Sequence, residues 1–479
     1  MREPRCSRLW QHETADFFSS PDDVNGNQGA GSPVVALPFC ATSCKTNPLV
    51  AIGDEEGSVK LVDSANADGV HFSETYLTMR PHDNAIMDME FSSDDSFLAT
   101  ASGDQTCHVI DMRTQTSLYC LTGHTSSIKR VQFQPGSGNN VLATCARDGV
   151  INFYDLRCSN NDRPSFHLRT MIPTPMSVNI RQISFINSIR DAHRPTWKSK
   201  KTRGRTAGMP IPGRDDFTVT SLAFINEVRP HLLVTTSDND AIVKLWDMRT
   251  TYRRSTPNPV SCTREPTSHE HHRSFGLTAL AMSSDSSRIY TLCRDHHIYT
   301  YSTSHLIIGD APELSQPSSR PFRPTASDPV RQGLGPLYGF RHPSLRVSTF
   351  YPRLAVRKCS DSDCELLAAG SSDDCAVLFP TNERYLTKHN QMALGSPVNP
   401  DISIYNHGTA LIRGHEKEVT AVTWTSEGNL VTAADDFTVR CWREDAARAR
   451  DCRVNGEQEG RRWQTGWADV LLDGYDQED

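Results

Sequence analysis

The sequence predicts an all-β fold, a seven-bladed β-propeller with long loop insertions, and three observations predict it. First, one motif recurs seven times: an acid in a turn, a short alternating strand, then a large apolar or aromatic residue six positions after the acid. The pairs are Glu56 with Val62, Asp104 with Ile110, Asp148 with Tyr154, Asp240 with Trp246, Asp295 with Tyr301, Asp373 with Phe379, and Asp436 with Trp442. Second, the motif is preceded by an apolar alternating segment, a polar turn and a second short apolar segment. AIMDMEFSSDDSFLATAS (85–102) and VTAVTWTSEGNLVTAA (419–434) are examples, and alternation bounded by Ser, Asp, Gly and Asn is the signal of a hairpin. Third, Gly123-His124, Gly414-His415 and His82 precede their turn acids by 24, 21 and 22 residues.

That last spacing is the Gly-His to Trp-Asp signature of WD repeats, and seven units close into a wheel. Successive turn acids are separated by 48, 44, 92, 55, 78 and 63 residues, against about 40 to 45 for a minimal blade. The surplus places insertions at about 158–216, 303–340 and 382–408. Their polar, Pro- and Ser-rich composition predicts mobile loops on a rigid wheel. The propeller is expected over 34–445, between an N-terminal segment (1–33) and a short C-terminal tail (446–479). One terminus must supply the outermost strand that closes the ring.

Composition excludes several classes. Gly and Pro number 28 each among 479 residues, so fibrous and low-complexity chains are out. A net charge of -7 argues against non-specific nucleic-acid binding by the whole surface. No apolar window is long enough to cross a membrane, and MREPRCSRLWQHETADFF lacks the apolar centre of a secretory signal. Fourteen scattered cysteines without a C-x-x-C pair read as buried free thiols in a reducing compartment.

Catalytic chemistry finds no support. The recurrent His and Asp are read as cross-blade hydrogen bonds that hold turns. His269-Glu270-His271-His272 lacks the spacing that sets two ligands on one helical face, so it is read as a solvated loop, with no metal and no cofactor expected. Three other features do carry functional readings. Lys198, Lys200, Lys201, Arg203 and Arg205 fit a nuclear-import signal or a phosphate contact, or a plain loop tip. In QHETADFF, Gln11, Phe17 and Phe18 stand in the frame of a peptide that docks on the sliding clamp PCNA, with Thr14 where an aliphatic plug is expected. The same phenylalanines suit a ring-closing strand. Finally, units three and four end in Asp155-Leu156-Arg157 and Asp247-Met248-Arg249, and unit two in Asp111-Met112-Arg113. An Arg two residues past the strand-ending Asp lies on one rim, where its planar fork either reaches a partner or pairs with its own Asp.

Together GDEEGSVKLVD (53–63), SGDQTCHVIDMR (102–113), GHTSSIKRVQF (123–133), ARDGVINFYDLRC (146–158), the Lys-rich insertion and VKLWDMRTTYRR (243–254) resemble the denticleless family. These are WD-repeat substrate receptors of cullin-RING ubiquitin ligases built on a damaged-DNA-binding-protein adaptor. The resemblance runs from about 34 to 445, strongest over units one to four and seven. It implies a nuclear, non-enzymatic subunit whose partners are the ligase adaptor, the cullin and PCNA-associated substrates that carry a degron. It also implies that the Trp-Asp-x-Arg boxes dock on the adaptor, which carries over to Asp155, Arg157, Asp247 and Arg249. Tyr154 replaces Trp in unit three, and Ile110 replaces it in unit two, where Arg113 would be a third member. The family's animal members have a long C-terminal extension, whereas this sequence stops soon after unit seven. The other function the residues allow is a chromatin-associated scaffold that binds histones or nucleic acid through the basic insertion.

Overall fold

A computed structural model describes residues 9–26, 35–65, 71–158, 180–194, 217–251, 258–269, 275–309, 331–358, 365–386, 402–455 and 465–470. Seven antiparallel sheets follow one another around an axis. The first runs Pro38–Ser43, Leu49–Asp54, Val59–Asp63 and Thr75–Met79 from axis to edge, and the innermost strands of the other six begin at Ile86, Ile128, Val219, Leu277, Leu354 and Val419. Six and seven are linked into a single ten-stranded sheet. Each sheet buries both faces against its neighbours, so the middle strands are buried throughout, their few Thr and Ser residues included; Val141–Ala146 and Leu232–Ser237 are buried at every position.

The seven residues placed six after the turn acids all lie in third strands, at most 1% exposed: Val62, Ile110, Tyr154, Trp246, Tyr301, Phe379 and Trp442. They fill the clefts between blades, and the recurring motif is thus the packing unit of the wheel. In blade one the turn is capped by Asp54 rather than Glu56, because its carboxylate accepts from the Glu56 and Ser58 amides at 3.0 and 2.8 Å.

The histidines tie each blade's rim to its core. His415 Nδ1 faces Asp436 at 3.0 Å, its Nε2 meets Thr432 Oγ1 at 2.7 Å, and the Trp442 indole donates to that hydroxyl at 2.9 Å. Blade four repeats the inner half, with His193 and Trp246 both on Thr235 at 2.9 Å. His82 and His124 make the same link to Asp104 and Asp148. His269 also belongs to this set: it is 4% exposed and meets Asp295 at 2.7 Å, which corrects its assignment to a solvated loop. The offset that reveals His82, His124 and His415 misses His193 and His269, which precede their acids by more residues. Glu270, His271 and His272 lie outside the described residues.

Both termini close the ring. Phe17–Ser19 pairs antiparallel with Thr438–Glu444 as the outer strand of blade seven, and Val24–Gly26 continues along the same partner. The C-terminal strand Gly466–Asp469 then pairs with Phe17–Ser19 on one side and with Thr409–Ile412 of blade six on the other. The propeller therefore extends beyond 34–445 at both ends. This geometry corrects the PCNA-docking reading of Gln11, Phe17 and Phe18, which are 2, 0 and 3% exposed. Phe17 packs edge-on to Trp424, and Thr14 bonds Thr409 at 2.6 Å instead of facing a partner. A side chain enclosed in its own core has no surface left for docking.

The insertions also return to the sheets. After its third strand, blade three sends Arg181–Ser184 back to lie parallel on the outer strand of blade two, and only then forms its own outer strand, Asn187–Ile189. Blade five does the same with Arg331–Gln332 on blade four, and blade six with Ser403–Tyr405 on blade five. The expectation of loops throughout fails at these places, where each returning strand pairs with an edge that would otherwise be open.

Candidate functional site: an arginine-bearing rim

The rim formed by the first and third turns of each blade carries the Asp-x-Arg boxes. Strand Ile151–Asp155 ends where the Asp155 carboxylate accepts the Arg157 amide at 3.0 Å. The guanidinium then folds back as a two-pronged fork, Nε to Oδ1 at 2.9 Å and Nη2 to Oδ2 at 2.7 Å. Blade four reproduces this around Asp247 and Arg249 at 3.0, 3.0 and 2.7 Å. The middle residues, Leu156 and Met248, are each 8% exposed and anchor the turn in the core. Their amides donate to Asn140 and His231 of the neighbouring turn.

Pairing with the blade's own acid does not hide these cations. The arginine side chains are 64 and 66% exposed over acids that are 13 and 12% exposed. The fork lowers the Asp155 pKa; at Asp247 burial pushes the other way and the Arg249 fork outweighs it. Each pair is thus a fixed, outward-facing cation on a buried anionic base. In blade two the backbone turn is the same, with the Arg113 amide on Asp111 at 2.8 Å, but the exposed Arg113 guanidinium makes no ion pair with Asp111.

The two forks sit on adjacent blades whose rims are stitched together. Gln134 of blade three donates to the Pro230 carbonyl at 2.7 Å and approaches Met248 Sδ at 3.8 Å. On the same rim two apolar side chains are exposed among the described residues: Val228, 85% exposed in the first turn of blade four, and Ile308, 53% exposed after the third strand of blade five. Apolar contacts beside fixed cations are the composition of a protein-binding surface. Lys198, Lys200, Lys201, Arg203 and Arg205 lie outside the described residues.

On the opposite rim, His269, Cys293 and Asp295 bring three potential ligand atoms within 4.8 Å of one another. Asp295 is already held by His269 and by the Tyr299 hydroxyl at 2.5 Å, and the trio is blade five's copy of the His–Asp link that recurs around the wheel. No described helix is long and apolar enough to cross a membrane.

Recurrent blades, buried His–Asp links and third strands ending in Trp-Asp or its variants define a WD-repeat propeller. The family model described as WD domain, G-beta repeat matches residues 73–111, 115–155 and 408–443. The chain belongs to the cdt2/denticleless family. It is 31% identical over 423 residues to Cell division cycle protein cdt2 of Schizosaccharomyces pombe, covering 85% of this chain and 68% of that one. It is 27% identical to Denticleless protein homolog of Danio rerio and 25% identical to that of Homo sapiens, over 87 and 89% of this chain. The chain spans about half the length of those two animal relatives, 53 and 49%.

Proposed function

We propose that the chain is a non-catalytic substrate receptor of a cullin-RING ubiquitin ligase, acting in the nucleus. It docks on the ligase adaptor through Asp155–Arg157 and Asp247–Arg249, with Arg113 as a third contact. Its cargo is degron-bearing replication proteins on PCNA, delivered for ubiquitination. The observation that carries this reading is the pair of matching, exposed forks on adjacent blades, on the rim that also exposes Val228 and Ile308. A fork already held by its own Asp presents donors to a partner's carbonyls or carboxylates with little side-chain ordering left to do. Ligation itself would be performed by other subunits.

Affinity purification of the wild-type chain and of an Arg157→Ala, Arg249→Ala double variant tests this, with partners identified by mass spectrometry. The wild type should bring down adaptor and cullin. The variant should lose at least tenfold of both while keeping its melting temperature, since both side chains are exposed. Recovery of histones or nucleic acid in place of adaptor would favour the chromatin-scaffold reading.

A further inference from the structure

The outer edges of the blades are closed in a regular way, with one exception. Each returning strand comes from the blade that follows: blade three's lies on blade two, blade five's on blade four and blade six's on blade five. Blades six and seven share the terminal strands, and the short outer strand of blade three, Asn187–Ile189, is held to Met248–Thr251 of blade four by a hydrogen bond from the Asn187 amide group to the Thr251 hydroxyl. Blade two has no insertion and passes from Cys107–Asp111 directly into its own outer strand, Thr116–Thr122. No described strand therefore returns to blade one, where Thr75–Met79 pairs with Val59–Asp63 on one side and with no described strand on the other.

A capped outer strand is a buried one: Tyr338–Phe340, under Ser403–Tyr405, is buried at each position. Thr75–Met79 is instead the one described strand of three or more residues with no buried position. Tyr76, 71% exposed, is the extra residue of a bulge against Leu61 and Val62, and Leu77–Met79 then continues straight, a run as long as Tyr338–Phe340. Natural sheets guard a bare edge with charge or Pro inside the strand. TYLTM holds neither, and its β-branched and aromatic residues favour pairing. The charges stand at its two ends instead: Glu74 before the strand and Arg80 after it, both exposed and neither in an ion pair among the described residues.

We propose that the outer edge of blade one is a dimerisation surface whose occupant is the same edge of a second copy of this chain. The strand is complementary to itself in one direction only. Centred on Leu77 and antiparallel, two copies bring Glu74 of each opposite Arg80 of the other, and Tyr76 of each opposite Thr78 of the other, an aromatic and β-branched pair of the kind that stabilises antiparallel sheets. Parallel pairing would set Glu74 beside Glu74 and Arg80 beside Arg80. A twofold axis through the paired edges makes the contact closed, so association stops at the dimer. Because Thr75–Met79 starts at the fork rim, where Val59–Asp63 ends, the antiparallel pair turns the two fork rims to opposite sides and leaves both free. The proposal does not rest on the receptor reading and stands or falls apart from it.

Sedimentation velocity of the full chain, in a concentration series up to about 100 µM, tests it, since a contact this narrow lies at the weak end of specific interfaces. A concentration-dependent dimer is expected. Glu74→Arg and Arg80→Glu should each weaken it about tenfold, because each sets like charges opposite one another at both ends of the pair. An equimolar mixture of the two variants should associate as strongly as the wild type, since every charge then meets its opposite; a loss of structure in either variant would not be repaired by mixing. In hydrogen exchange the amides of Leu77–Met79 should exchange freely in dilute solution and slow as the dimer forms. A chain that stays monomeric, a dimer indifferent to the reversals, or variants that fail to complement each other would each overturn the proposal. So would amides already protected in the dilute monomer, which would mean that a segment of the same chain covers the edge, or amides protected only when adaptor and cullin are added, which would assign the edge to another protein.

Discussion

His108 and His342 are 2 and 4% exposed, and burial lowers their pKa values to about 3 and about 4. Both therefore stay neutral in the folded chain at pH values where the unfolded chain is protonated. The sign follows from linkage: stability is intact above about pH 6.5 and declines as pH falls below it, because protons bind the unfolded state first. Each residue costs about 2 kcal/mol at pH 5 on the scale of about 1.4 kcal/mol per unit. Thermal melts at pH 7 and pH 5 should show the loss, and His342→Gln should remove close to half of the part these two residues contribute. A variant as pH-sensitive as the wild type would refute the assignment. At this scale the sequence reveals which residue types recur, whereas burial and partners come from the fold. Arg157 and Arg113 occupy the same sequence position, yet only Arg157 is forked onto its Asp.

The element that most depends on fit is the C-terminal strand. Trp442 lies between two glycines: a Cβ on Gly414 would stand 2.4 Å from the ring, and one on Gly466 2.6 Å from it. Only a residue without a side chain lets Gly466–Asp469 close over the indole, so Gly466→Val should detach this strand from both neighbours. Hydrogen exchange should then accelerate in Thr409–Ile412 and Phe17–Ser19 while blades two to four keep their protection. Unchanged exchange at those two strands would mean the glycine is not what seats the strand. The insertions belong to the same scale. Their third-strand anchors were legible in spacing, but Arg181–Ser184 and Ser403–Tyr405 are short and pair parallel with a preceding blade. A strand of three or four residues has too few positions to display alternation, so its pairing is set by the edge it meets.

For the whole molecule, closure is the decisive property. The N-terminal turn Leu9–Glu13 and strand Phe17–Ser19 bridge blades six and seven, through Thr14 on Thr409, Glu13 accepting from Tyr385 at 2.5 Å, and Phe17 in the core beside Trp424. Arg453 adds a clasp by donating to the Ala15 carbonyl at 2.6 Å. Removal of residues 1–19 should therefore lower the melting temperature of the entire wheel and expose an edge at Thr438–Glu444 that promotes association. Phe17→Ala alone should cost about 3 to 5 kcal/mol, as for other fully enclosed rings. Chemical denaturation and light scattering check both, and a full-stability deletion would show that the ring closes without its N-terminal strand.

By itself the sequence determined the all-β class, the seven units, the Asp-x-Arg boxes and the resemblance to denticleless proteins. Those properties repeat, and a repeat with a fixed offset is visible without knowing what touches what. Tertiary structure decided the rest: that both termini seal the ring, that Phe17 and Phe18 are core, that His269 is a link within a blade, and that Arg353 of blade six reaches blades two and three. Each of these depends on residues far apart in the chain meeting across the wheel. Nothing local in the sequence encodes that proximity; it arises when seven sheets close on one another and every edge must find a partner.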